Sequence, residues 1–158
     1  MIQLFQKQDE QKCLLYCAAM ILEIGVNTLE NMLSATGMEE WWPDRYGNQK
    51  FRGVHIQEIQ DVFMFYGKAL IPIEQFPYLA PVDDPRLAKE VFRKEMAPLR
   101  FYNHIIGHEG ILIYQSHAKV IDIYGTIYDP SSKAISQITP EKVVGCREIW
   151  LVGEIKSL

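Results

Sequence analysis

The chain has no surplus of positive charge. Its 16 Lys and Arg stand against 20 Asp and Glu, for a net charge of −4, and no basic cluster occurs. Nucleic acid and anionic membrane are both bound through clustered Lys and Arg, so neither is expected as a partner. No long apolar run opens the sequence, so neither a secretory signal nor a transmembrane span is expected. Cysteine is scarce. Three in 158 residues do not read as a disulfide framework, and a reducing compartment is the simpler expectation. That compartment is the cytoplasm, although a protein delivered by a dedicated secretion machine without a cleavable signal has the same sequence character. Internal repeats and low-complexity tracts are missing as well. What is left, 48% apolar and 23% charged, is ordinary for a soluble globular protein, and the length fits one domain over residues 1–158 with a sizeable core.

The stretch from Gln8 to Leu22 begins polar and turns apolar at Cys13. From Cys13 to Ile24 the only charged residue is Glu23, and Ala, Leu and Met dominate, all good helix formers. Gly25 is the natural stop. A helix apolar on all sides belongs in the middle of a domain. Cys13 therefore stands where a solvent-facing segment runs into a buried central helix. There the partial positive charge of the helix N-terminus favours thiolate over thiol. If the helix begins at Asp9 instead of near Lys12, that effect is weaker. The plain alternative is that Cys13 and Cys17 are small core residues one helical turn apart.

After this helix, Asn27 or Thr28 can cap a second one running through Ala35 and closed by Gly37. Met38 to Asn48 shows turn residues and large aromatics without a period, and reads as a loop. Adjacent Trp41 and Trp42 cannot both point inward on one regular element. One of them lines a substrate cleft or partner surface, or both cover the edge of the core. Gly53 precedes a helical stripe of Val54, Ile56, Ile59, Val62, Phe63 and Tyr66, ended by Gly67. Lys68 to Ile73 reads as a strand, 75–84 as a proline-rich connector, and Pro85 to about Lys94 as a helix. Strands are expected over Gly110–Tyr114, within His117–Tyr124, over Thr126–Tyr128 after a tight turn at Gly125, and over Arg147–Ile155. Thr139-Pro140-Glu141 looks like a helix start. Helices first and an antiparallel sheet after them is an α+β layout.

A cysteine nucleophile needs a base to take its proton and a third group to orient that base. His117 opens a strand, and Asp129 closes the partner strand of the same hairpin, which brings both to one end of the sheet. Asp129-Pro130 is also a plain strand-ending turn. His104 and His108 are spaced i, i+4 with Glu109 beside the second, which on a helix suits two ligands of a metal. Gly107 and Gly110 favour a loop there and no third ligand follows, so no metal and no cofactor is expected.

Cys13-Leu-Leu-Tyr-Cys17-Ala-Ala-Met-Ile-Leu resembles the nucleophile helix of the double-glycine leader peptidases attached to bacteriocin exporters. Ile111-Leu-Ile-Tyr-Gln-Ser-His117-Ala-Lys-Val-Ile and Ile127-Tyr-Asp129-Pro resemble the same family's apolar strand, base histidine and Asp-Pro. The resemblance implies a papain-like fold in a bacterial setting, with the central nucleophile helix packed on a C-terminal antiparallel sheet and a Cys13-His117-Asp129 triad. It also implies an oxyanion-hole glutamine about six residues before the cysteine. That position is Lys7 here, with Gln6 and Gln8 on either side, and Gln8 begins the polar run nearer the helix. Leu14 stands where the family has glycine, and the His-to-Asp hairpin is shorter than the family's. The implied function is a stand-alone cysteine peptidase, a thiol hydrolase acting on a peptide or protein. Acyl transfer, deamidation and transglutaminase-type chemistry share the acyl-enzyme, and an inactive binding domain would keep the scaffold.

Overall fold

The computed structural model describes residues 1–5, 12–35, 41–43, 46, 49–51, 56–73, 102–115, 117–132 and 134–155; of 34–35, 41–43, 49–51 and 144 it describes the backbone only. Helix α1 spans Cys13–Leu22 and starts at the residue where the sequence turns apolar. Leu15 and every residue from Cys17 to Leu22 is buried in it. It does not run to Gly25. Glu23 ends it in the left-handed conformation (φ 57°, ψ 42°), and both its N–H and that of Ile24 reach back to the carbonyl of Ala19. A non-glycine residue seldom adopts this conformation. Here the Glu23 carboxylate accepts from the Met1 ammonium at 2.7 Å, which ties the N-terminal arm across the end of the helix. Gly25 serves the next helix instead: its carbonyl accepts from Leu29, so α2 runs Val26–Ala35, and Asn27 and Thr28 fall inside its first turn. Helix α3 spans Ile56–Phe65 and buries Ile56, Ile59, Val62 and Phe63 of the apolar stripe; Val54 lies outside the described residues.

The stretch read as one loop contains a short strand, β1 (Trp41–Pro43), which pairs antiparallel with β2 (Gln49–Phe51) just beyond it, Trp41 opposite Phe51. Strand β3 (Lys68–Ile73) keeps the bounds expected of it. The connector, the helix from Pro85, Gly37, Gly53 and His55 lie outside the described residues. Strands β4 (Gly110–Ile113), β5 (Ala118–Ile121), β6 (Thr126–Tyr128), β7 (Ile135–Gln137) and β8 (Glu148–Glu154) follow, with the short helix α4 (Pro140–Val144) before β8. The N-cap Thr139 accepts from the Lys142 N–H at the start of α4. The six-stranded sheet has the order β3-β8-β4-β5-β6-β7, and every neighbouring pair is antiparallel. This is the α+β class, and β3, formed early in the chain, lies at the far edge beside the last strand. Pro72 sits on that edge strand, where a missing N–H removes no ladder bond on the open side.

Side chains alternate across the sheet. Leu70, Ile111, Ala118 and Val120 meet Leu15, Met20, Leu29, Ile59 and Phe63 of the three helices in one core. Leu112, Ile121, Ile127, Ile149 and Leu151 face the other way, into a second core closed by Ile105, Ile138, Val143 and Cys146. The covering pieces on that side are a helical turn at 102–105 and α4. Cys146 is therefore buried, not the exposed thiol its Gly145 and Arg147 neighbours suggest. Among the described residues no single helix is long and apolar enough to cross a membrane. α1 and the stretch Val26–Leu33 pass that test only as a pair, and they meet at 107° inside the core.

Candidate functional site

The site forms where the N-terminus of α1 meets the upper end of β5 and β6. Cys13 is the first residue of α1, and α1 packs on β5. Lys12, the residue before it, is buried and pairs with Glu30 of α2 at 3.1 Å, fixing the start of α1 against its neighbour. Lys12 supplies no side-chain cap, and the first turn carries no acid. The orphan N–H groups and the positive end of the helix are thus directed at the region of the Cys13 sulfur.

Two hairpins set the other side chains. The β4–β5 link runs from 114 to 117, and the Tyr114 N–H donates to the His117 carbonyl at 2.7 Å to close it. His117 therefore has a fixed backbone directly before β5. The β5–β6 turn is built on Asp122, whose carboxylate accepts from the N–H of Tyr124 and of Thr126 and from the Tyr128 hydroxyl. Gly125 in this turn has φ +79°, a conformation only glycine adopts without strain. The register it imposes pairs Val120 with Tyr128. Toward the site, His117 directly precedes β5 and Asp129 directly follows β6, so the two stand at the same end of the hairpin.

The geometry follows the register. His117 Nε2 lies 2.6 Å from Asp129 Oδ1. An ionised carboxylate only accepts, so Nε2 carries the proton and donates. Ser131 Oγ is 3.1 Å from the same Nε2 and 2.9 Å from Asp129 Oδ1, and the Ser131 N–H also donates to Oδ1 at 2.9 Å. The second carboxylate oxygen faces Lys119 Nζ at 3.9 Å, and that ammonium lies 5.1 Å from the centre of the Tyr114 ring. With Nε2 occupied, Nδ1 is the ring nitrogen left for the Cys13 thiol, and each of the two groups shifts the acidity of the other.

The acid–base balance reflects these contacts. Burial pushes the Cys13 thiol up, but the His117 hydrogen bond, the Ala118 N–H and the charge of His117 outweigh it, and the thiol ends below its ordinary value. The hydrogen bond to Cys13 is the strongest influence raising His117; burial opposes it, and Asp129 adds to it. Burial also pushes the Asp129 carboxyl up, yet the bonds from His117 and Ser131 hold it well below the usual carboxylate range. The thiol moves down and the imidazole up, which favours thiolate beside imidazolium. Cys17, one turn further along, is fully buried, and its thiol is pushed well above the ordinary value.

Cys13, His117 and Asp129 thus come together. Gln6 and Gln8 lie outside the described residues. Trp41 and Trp42 fall on β1, with their side chains outside them. His104 and His108 are exposed; His104 is in the helical turn at 102–105, and Gly107 (φ +85°) breaks the chain before His108. Among the described residues no group of three His, Cys, Asp or Glu converges as a metal ion requires. Ser131 and Lys119 were not among the residues the sequence singled out. Counting outward from the Gly125 turn finds both, and Asp-Pro-Ser is itself a turn in which the serine can reach back to the aspartate. Ser131 is not placed as a serine nucleophile. It shares Nε2 with Asp129, whereas a triad sets nucleophile and carboxylate on opposite ring nitrogens.

The sequence matches no family model, and no curated protein matches it.

Proposed function

We propose that the protein is a papain-like cysteine peptidase, a thiol hydrolase that cleaves a peptide or protein through an acyl-enzyme. The observation that carries this reading is the single chain of contacts from Asp129 through His117 to a thiol at a helix N-terminus. In the proposed cycle the Cys13 sulfur attacks the scissile carbonyl carbon, and the carbonyl electrons become an oxyanion. The Cys13 N–H and the side chain of Gln8 or Gln6 stabilise it. Collapse breaks the C–N bond, and the leaving amine takes its proton from His117. Water then attacks the thioester while His117 takes its proton, and a carboxylic acid leaves with Cys13 restored. Asp129 orients the ring and stabilises its charged form without becoming protonated. No cofactor takes part.

A complex peptide mixture incubated with the protein, followed by mass spectrometry of new termini, tests this reading. New N-termini are expected with the wild type and not with Cys13→Ala. His117→Ala should lower their yield by about 10²–10⁴-fold, the usual contribution of general acid–base catalysis. Identical termini in the Cys13 variant would sink the peptidase. Glutamine converted to glutamate, or amines added to glutamine, in place of cleavage would assign the same thiol to deamidation or acyl transfer.

A further inference from the structure

The histidine of a thiol–imidazole pair acts only while its ring holds one orientation, and that orientation is set by what the far nitrogen binds. Here the far nitrogen meets two oxygens. Asp129 Oδ1 and Ser131 Oγ lie 2.6 and 3.1 Å from Nε2, and 2.9 Å from each other. One N–H cannot point straight at both. Since Oδ1 can only accept, the Ser131 proton goes to Oδ1, and its lone pair faces the Nε2–H. The hydroxyl thereby satisfies both members of the pair. The Ser131 N–H holds the same carboxylate oxygen from the backbone. The hairpin fixes this arrangement: His117 directly precedes β5, Asp129 directly follows β6, and Ser131 lies two residues on, in the bend whose backbone N–H and hydroxyl both reach Asp129 Oδ1. Ser131 is exposed and Pro130 before it is buried, so the hydroxyl sits between the pair and water.

We infer that Ser131 is a positioning residue for the chemistry of Cys13: its hydroxyl closes the His117–Asp129 pair against water and holds the ring with Nδ1 on the thiol. The inference rests on the thiol-hydrolase reading and assigns to that site a fourth side chain. Ser131 does not touch the reacting atoms; it acts through the other two. Among the described residues, the titratable and charged groups that face His117 and its partner are Cys13 from α1, Asp129 after β6 and Lys119 on β5. Without the hydroxyl, a mobile water takes its place, the carboxylate loses one donor, and the ring is free to tip. The imidazolium that sustains the thiolate is then less well held.

The test is the rate at which iodoacetamide modifies Cys13 as pH is varied, read by peptide mass mapping. Wild type, Ser131→Ala, Ser131→Gly, Ser131→Thr and His117→Ala are compared, each checked by its melting temperature. Removal of the hydroxyl by alanine or glycine should move the alkylation limb up by about half a pH unit and slow the reaction at neutral pH about twofold, less than the bond to the carboxylate is worth because the hydroxyl acts on Cys13 only through Asp129 and His117. Threonine, which keeps the oxygen, should restore the wild-type profile. Superimposed profiles for wild type, Ser131→Ala and Ser131→Gly would overturn the inference, and so would a threonine variant as slow as the alanine one. A wild-type profile that already matches His117→Ala would remove the thiol-hydrolase reading itself. That outcome is distinct from one in which only the Ser131 variants fail to move.

Discussion

Replacing His117 with alanine leaves Cys13 with its burial and takes away the partner that offsets it. Burial alone raises the thiol, and the His117 hydrogen bond and charge, together with the Ala118 and Leu14 backbone N–H groups, bring it below the ordinary value. A hydrogen bond to a charged group contributes about 1.5–3 kcal/mol, and one pKa unit corresponds to about 1.36 kcal/mol, so the Cys13 limb should move up by about 1–2 pH units. At neutral pH the thiolate population then falls about 10–100-fold. The less acidic thiolate is intrinsically more nucleophilic, and a Brønsted slope of about 0.4–0.5 returns about 3–10-fold of that loss. The net expectation is an alkylation rate about 3–10-fold slower at neutral pH, together with the shifted limb. Stopped-time iodoacetamide labelling across pH, mapped to the Cys13 peptide, measures both quantities. A limb that stays in place in the His117 variant would refute the reasoning, because it would mean that the helix N-terminus alone sets the acidity of Cys13.

Other outcomes follow from the same contacts. Cys17 is fully buried with its thiol raised, and Cys146 is buried with its thiol pushed up to about 11, so neither should label in the folded protein before Cys13 is complete; timed mass mapping checks the order. Asp129 is held below and His117 above the ordinary value. Asp129 therefore adds stability that is present above the unfolded carboxyl value of about 3.9 and lost as pH falls through its depressed value, whereas His117 adds stability that is present below about 6.5 and lost as pH rises through its raised value. The melting-temperature gap between wild type and Asp129→Asn should be widest between those two pH values and shrink on either side; a gap independent of pH would contradict it. Gly125→Ala should destabilise by about 1–2 kcal/mol for the left-handed backbone alone. The new methyl would also meet Ile106 and Ile138 at 2.9 Å, so a denaturant midpoint equal to that of wild type would rule out the turn described here.

The parts of the molecule that were legible in the sequence are those with a sharp boundary. α1 was readable because polarity ends abruptly at Cys13, and the His117–Asp129 relation because Gly125 and Asp129-Pro130 punctuate one short hairpin. Elements without a hydrophobic period escaped: β1 and β2 are short and separated by turn residues, and all of β7 is exposed, so no alternation marks it. Glu23 gave no signal as a helix end, since its left-handed backbone is accompanied by an ion pair with Met1, a contact far away in sequence. The burial of Cys146 gave no signal for a related reason. The core that buries it is closed by a single helical turn and the short α4, pieces too brief to announce a second layer on the sheet. Ser131 is found through the Asp-Pro-Ser turn, in which the serine reaches back to the aspartate.

The central claim is that the Cys13 sulfur takes up an acyl group with help from His117, and the thioester itself is the direct test. The protein is mixed with p-nitrophenyl acetate, quenched in acid after a few seconds, and its intact mass and Cys13 peptide are measured. One acetyl per chain on Cys13 is expected in the wild type, slower acylation in His117→Ala, and no acetylated thioester in Cys13→Ala. An acetyl found on another residue, or the same burst in the Cys13 variant, would contradict the claim.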